Sequence, residues 1–149
     1  MLYWYRDLMT SKKLRSKTDK HIHRVERYYR ALPKSKVFSD KKKWWEQIVG
    51  KRIPWKDYTV VIKSLNESDL FDIMATRQWV FRAYEKRDIY VIGLFTSKDD
   101  ALEQIEAMLT EGYEADPAYD PRAAFSDPES FDTYTDEEVG AVAHKRRKK

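Results

Sequence analysis

Asp88-Ile89-Tyr90-Val91-Ile92-Gly93-Leu94-Phe95 is the stretch on which the fold turns. It is short, β-branched and aromatic, and its apolar run is nearly unbroken, so it reads as a strand buried on both faces. A helix follows directly. Ser97 supplies an N-cap, Asp99 and Asp100 suit the positive end of the dipole, and Ala101, Leu102, Ile105, Met108 and Leu109 form the stripe that faces a core. Gly112 is expected to end it.

Working upstream, Tyr58-Thr59-Val60-Val61-Ile62 is a second strand. Asn66-Glu67-Ser68-Asp69 reads as a turn and a helix start, after which Leu70, Ile73, Met74, Arg77, Val80, Phe81 and Tyr84 keep a helical period. Gln78 to Tyr84 also alternates as a strand would, through Trp79 and Phe81. One capped helix accounts for the whole stretch and is the preferred reading.

Further upstream the chain reads as helical. Leu2 to Leu14 is aromatic and then basic, and is expected to be partly helical. Asp19 to Leu32 places Ile22, Val25, Tyr29 and Leu32 on one face, with Thr18 or Asp19 as cap and Pro33 as stop. A third helix is expected from Ser39, with Trp44, Trp45, Ile48 and Val49 inward and Gly50 at its end.

Downstream of Tyr113 the chain is rich in Asp, Glu, Pro and Ser, with isolated aromatics at Tyr119, Phe125, Phe131 and Tyr134. This composition predicts an acidic tail without a core of its own, pinned in places by the aromatics. The fold class is therefore α+β, or a small α/β fold. A basic helical region over 1–56 packs on a core over 57–118, built as strand-helix-strand-helix with a small sheet. An extended acidic, flexible tail over 119–149 ends in Lys145-Arg146-Arg147-Lys148-Lys149. The strand-helix-strand unit is expected to form a parallel pair. Two strands are too few for a stable sheet, so a homodimer through that sheet is one way to complete it.

The block Tyr58 to Phe125 resembles a small uncharacterised family of gut Firmicutes proteins. The short strand, Asp69-Leu70-Phe71-Asp72-Ile73, the strand Asp88 to Leu94, the helix Ala101 to Gly112 and Asp120-Pro121-Arg122 carry the likeness, over about half of the chain. The resemblance implies no activity and no residue role.

Composition narrows function. The 149 residues suit one domain, and the absence of cysteine removes disulfides, thiolate zinc sites and cysteine nucleophiles. Mean hydropathy is −0.80 and charged residues make up 36%, so highly charged surfaces are expected around a modest core. The first residues hold no apolar leader segment, and no apolar run approaches the ~20 residues of a membrane span. A cytoplasmic protein without membrane contact is expected.

Catalytic and metal motifs are weak throughout. His21 and His23 sit two apart on a helix and point to separate faces, so they do not chelate one ion. Asp69 with Asp72, and Asp99 with Asp100, fall in expected first helical turns, where the dipole alone favours carboxylates. With four glycines in the chain, no phosphate-cradling loop is present, and no serine has the surroundings of a nucleophile. No enzyme activity and no cofactor are expected.

Charge is the informative feature. The net charge of +4 hides an asymmetry: residues 1–56 carry 17 Lys and Arg against 5 Asp and Glu, and 113–144 carry 1 against 9. Lys12, Lys13, Arg15, Lys17, Lys20, Arg24, Arg27 and Arg30, then Lys41, Lys42, Lys43 and Trp44, form a cationic helical surface interleaved with aromatics. Lysine and arginine contact phosphates, and aromatics stack on exposed bases. The bland reading buries the aromatics and solvates the charges. The expectation is a non-enzymatic interaction protein whose basic surface meets an anionic partner: nucleic acid, a ribonucleoprotein or an acidic protein surface. The alternative is a phage or mobile-element regulator that docks on a host protein machine.

Overall fold

A computed structural model describes residues 1–32, 42, 43, 46, 57–64, 69–80 and 88–140. Its centre is a five-stranded mixed sheet of β1 (Leu2–Thr10), β2 (Thr59–Lys63), β3 (Phe71–Ala75), β4 (Ile89–Phe95) and β5 (Phe131–Asp132). The spatial order is β3-β2-β4-β1-β5. β4 is the central strand, as its apolar run requires, and Ile89, Val91, Ile92, Leu94 and Phe95 are fully buried.

The mixed α/β class holds, but the N-terminus is not helical where it begins. Leu2 to Thr10 is a strand that pairs parallel to β4, with Leu2 opposite Ile89 and Trp4 opposite Val91. Four residues, Tyr5 to Leu8, then lie opposite Ile92 alone before Met9 meets Gly93. This bulge turns Arg6 and Asp7 to solvent and breaks the two-residue alternation that would have marked a strand. The expected parallel pair of β2 and β4 is corrected: those strands are antiparallel, and the parallel partner of β4 is β1. All five strands come from one chain, so the shortage of strands that suggested a homodimer does not arise.

A second correction concerns Phe71 to Ala75, read as the start of a helix. It is an edge strand antiparallel to β2, with Lys63 opposite Phe71 and Thr59 opposite Ala75. Phe71 and Ile73 lean toward the cluster of Val61 and Phe95, while Met74 faces the other side. The spacing 70, 73, 74 fits a helix in the sequence, but cross-strand pairing with Val60, Val61 and Ile62 decides the outcome. Thr76 to Val80 is a single tight helical turn, and the remainder of the Gln78–Tyr84 ambiguity lies outside the described residues. So do the expected helix from Ser39, apart from the helical residues Lys42, Lys43 and Glu46, and the Lys145–Lys149 cluster.

Two helices follow β1: α1 (Lys12–Arg15) and α2 (Thr18–Ala31). Leu14, Ile22, Val25 and Tyr28 pack on one sheet face against Leu2, Trp4, Val60, Ile62, Ile89 and Val91. Neither Thr18 nor Asp19 caps α2. Lys17 occupies the cap position, and the Thr18 hydroxyl is turned back to the carbonyls of Leu14 (3.2 Å) and Arg15 (3.1 Å). The opposite face is covered by α3 (Lys98–Ala115), where Ala101 and Ile105 meet Val61 and Phe95. Ser97 caps α3 as expected, accepting from the Asp100 amide at 3.2 Å. Gly112 does not end it. The Tyr119 ring lies so close that a Cβ on residue 112 would sit 2.3 Å from its Cε1, so the glycine serves a close approach and not a stop.

The described part of the acidic segment is folded, in place of the extended tail that its composition suggests. α4 (Pro121–Ala124) is capped by Asp120, a turn at Pro128–Ser130 by Asp127, and α5 (Asp136–Val139) by a Thr135/Glu138 capping box, with Gly140 at φ 81°. Its Asp, Pro and Thr residues are thus helix-start chemistry. Phe125 and Phe131 are buried against Ile92, and Val139 is buried as well. Arg30 donates to Asp136 and to the Tyr134 carbonyl, and Arg27 donates to the Val139 carbonyl at 2.7 Å.

Among the described residues, one carboxylate lies inside the core. Glu26 is 2% exposed, accepts from Trp4 Nε1 at 2.7 Å, and pairs with Arg30 Nε at 3.2 Å. Burial raises its carboxyl above the ordinary 4.5, outweighing the Trp4 bond and the Arg30 charge. The folded state therefore holds this proton more tightly than the unfolded chain does. The contribution of Glu26 to stability is fully present below the ordinary value and is lost as pH rises through the window from 4.5 to the raised folded value. Glu26→Gln keeps an acceptor for Trp4 and removes the titration. Urea unfolding from about pH 4 to pH 7 should show a flatter profile in the variant; parallel profiles would contradict this role for Glu26.

Candidate functional site

β1 and β4 lie side by side and run parallel, yet their chains leave in opposite directions. β1 continues into α1 and α2 on one face, while β4 continues into α3 on the other. A crevice opens at the carboxyl ends of such a strand pair, the topological switch point where α/β sheets hold ligands. Here the crevice has a volume of about 860 Å³.

Its base is a polar lock made by residues far apart in sequence. The Ser11 amide donates to the Leu94 carbonyl at 3.3 Å, the Thr96 amide donates to Ser11 Oγ at 2.9 Å, and Ser11 Oγ donates to the Asp100 carboxylate. Gln104 Nε2 bridges the Thr10 carbonyl (3.0 Å) and Asp100 (3.3 Å). Ser11 is 2% exposed and its hydroxyl is fully committed to these bonds. It holds two chain ends together and is not set up as a nucleophile.

The walls differ in character. Lys12, Lys13 and Arg15 form one, Asp100, Glu103 and Glu111 stand along α3 on the other, and Tyr5, Met9, Met108, Tyr119 and Phe125 line the floor between them. The side chains of Lys12, Lys13 and Arg15 are exposed and make no ion pair or side-chain hydrogen bond among the described residues, so opposite charges face each other across open space. The Tyr5 hydroxyl is pushed up, first by burial and then by the negative charge of Asp7 and by Tyr119, and all three residues line the crevice.

The remaining sequence-predicted site residues fall into separate groups. Lys17, at the cap of α2, and Lys20, in its first turn, are exposed, and their side chains likewise have no partner among the described residues. Arg24 is half-buried and reaches the Tyr58 hydroxyl at 3.4 Å. Arg27 and Arg30 are bound to the chain's own C-terminal segment, as described above. Lys42 and Lys43 are exposed but do not line the crevice, and Lys41 and Trp44 lie outside the described residues. Sequence reasoning missed Ser11, Thr96 and Gln104, because the Ser11–Thr96 contact spans 85 positions and leaves no local signature.

Among the described residues no group of three or more His, Asp or Glu side chains is arranged to hold a metal ion, and no helix is long and apolar enough to cross a membrane. His21 is buried and bonded to the Tyr58 hydroxyl at 2.7 Å. No protein-family model, curated protein or solved structure matches the chain.

Ser11→Ala removes one hydroxyl and strands two partners, the Asp100 carboxylate and the Thr96 amide. Leaving such groups unsatisfied costs about 1–3 kcal/mol, so chemical denaturation should show a loss of that size. A loss below about 0.5 kcal/mol, the lower end for a single net hydrogen bond, would mean that the lock does not hold the two strand ends.

Proposed function

We propose that the protein is a non-catalytic binding protein whose cationic rim at the β1/β4 crevice engages the phosphates of single-stranded nucleic acid. The observation that carries the reading is the disposition of charge. Lys12, Lys13, Arg15, Lys17 and Lys20 are exposed and unpaired among the described residues. Arg27 and Arg30, by contrast, are taken up by the acidic C-terminal segment.

Aromatic side chains beside the cations support nucleic acid over an acidic protein surface. Tyr5 and Tyr119 are partly exposed and offer ring surface within the same crevice as the phosphate-binding charges. A single strand presents its bases to such surfaces, whereas a duplex keeps them stacked.

Salt dependence tests the reading. If five cations each replace a counterion, the logarithm of affinity for a single-stranded decamer falls against the logarithm of salt with a slope of about −3.5. Lys12→Gln/Lys13→Gln/Arg15→Gln should bring that slope to about −1.4. Fluorescence anisotropy between low and moderate salt measures both. An unchanged slope, or no binding even at low salt, would refute the proposal and favour an acidic protein as the partner.

A further inference from the structure

The crevice holds more than a phosphate site needs, and its surplus is acidic and aromatic. Asp100, Glu103, Gln104, Ala107, Met108 and Glu111 fall on one face of α3. From Asp100 to Glu111 this face extends about 16 Å along the helix axis. At the Asp100 end it meets Ser11, and hence the start of the Lys12–Arg15 helix. At the Glu111 end it meets Tyr119, whose ring lies on Gly112, and the crevice is also lined by Tyr5, whose ring packs edge-on to Phe125 at 5.0 Å. The cations thus begin at the Asp100 end, and rings and further carboxylates line the rest of the crevice.

We infer that the crevice is a guanine nucleotide site, in which the phosphate lies on Lys12, Lys13 and Arg15 and the base lies on the Tyr5 and Tyr119 rings with its donor edge toward Glu111 and Asp7. The inference rests on the nucleic-acid reading above and names the base that reading leaves open. Carboxylates repel phosphate, so their presence beside a phosphate rim calls for a ligand with hydrogen-bond donors at a fixed distance from its negative charge. Guanine carries two adjacent donors, N1–H and the exocyclic N2 amino group, that match the two oxygens of one carboxylate. Uracil offers one donor between two acceptors, and adenine and cytosine offer only an amino group beside an acceptor nitrogen.

The carboxylates are available for this role. Glu103, Glu111 and Asp7 are exposed and make no ion pair or side-chain hydrogen bond among the described residues. Asp100, in contrast, is held by Ser11 and Gln104 and shapes the crevice without facing the base. A basic peptide would also suit acidic walls, but it would meet repulsion from Lys12, Lys13 and Arg15 along the opposite wall.

The test uses the full chain and three labelled RNA decamers: all uridine, uridine with one central guanosine, and the same with inosine, which lacks the N2 amino group. Anisotropy should give the guanosine decamer about tenfold tighter binding than the uridine decamer, with inosine losing most of that gain. Glu111→Gln and Asp7→Asn, each checked for an unchanged circular dichroism spectrum and melting temperature, should collapse the guanosine-to-uridine ratio toward one. Competition by free GMP at concentrations that leave the uridine decamer bound would assign the site to a mononucleotide; failure of GMP to compete would assign it to a guanosine within a strand. Equal binding of all three decamers with a steep salt slope would overturn the base site and leave the phosphate reading standing. Absence of binding to any decamer would overturn both.

Discussion

The parallel pairing of the first strand with the central one is the constraint on which the rest depends. Leu2 sits opposite Ile89, and the Ile89 amide donates to the Met1 carbonyl at 2.9 Å. Closing a loop of that length costs entropy, but the cost grows only slowly, by about 0.6 kcal/mol per doubling. The return is local and large, since Leu2, Trp4, Ile89 and Val91 are all removed from water in one cluster. The pairing also carries Trp4 to Glu26, so the one buried carboxylate of α2 has a donor waiting for it. Finally it aligns two carboxyl strand ends whose chains then part to opposite faces. The crevice is a direct consequence of that parting.

Charge is then distributed by folding and not by composition alone. The acidic C-terminal segment closes over the far end of α2, where Arg30 links the buried Glu26 to Asp136 and the Tyr134 carbonyl. Arg6 is likewise met by Asp132 at the sheet edge, an exposed pair worth little by itself. The cations of the short helix after β1 and of the first turn of α2 stay unpaired among the described residues. The same chain therefore contains a neutralised basic face and an open one, about three turns of helix apart.

Much of this was legible in the sequence, and the failures share a cause. β4, β2, α2 and α3 were readable because each carries its own periodicity and, for α3, its own cap. β1 was not, because Tyr5 to Leu8 bulge away from the ladder and its partner is almost ninety residues distant. β3 was not, because Leu70, Ile73 and Met74 satisfy a helical spacing while pairing as a strand. The C-terminal segment misled through composition: Asp120-Pro121, Asp127-Pro128 and Thr135 with Glu138 are helix starts written in the residues that also mark disorder. The cations of the crevice rim were visible as charge; the wall opposite them, and the lock beneath, exist only once residues 11 and 96 meet.

The most direct measurement is amide chemical-shift mapping of the isotope-labelled full chain during titration with a uridine-rich RNA decamer. The account expects the perturbed amides to gather in Thr10–Lys20 and Thr96–Gln104, the two chain segments that leave the parallel pair in opposite directions. Shifts confined to the C-terminal half of α2 and to α5, or spread evenly over the surface, would contradict it.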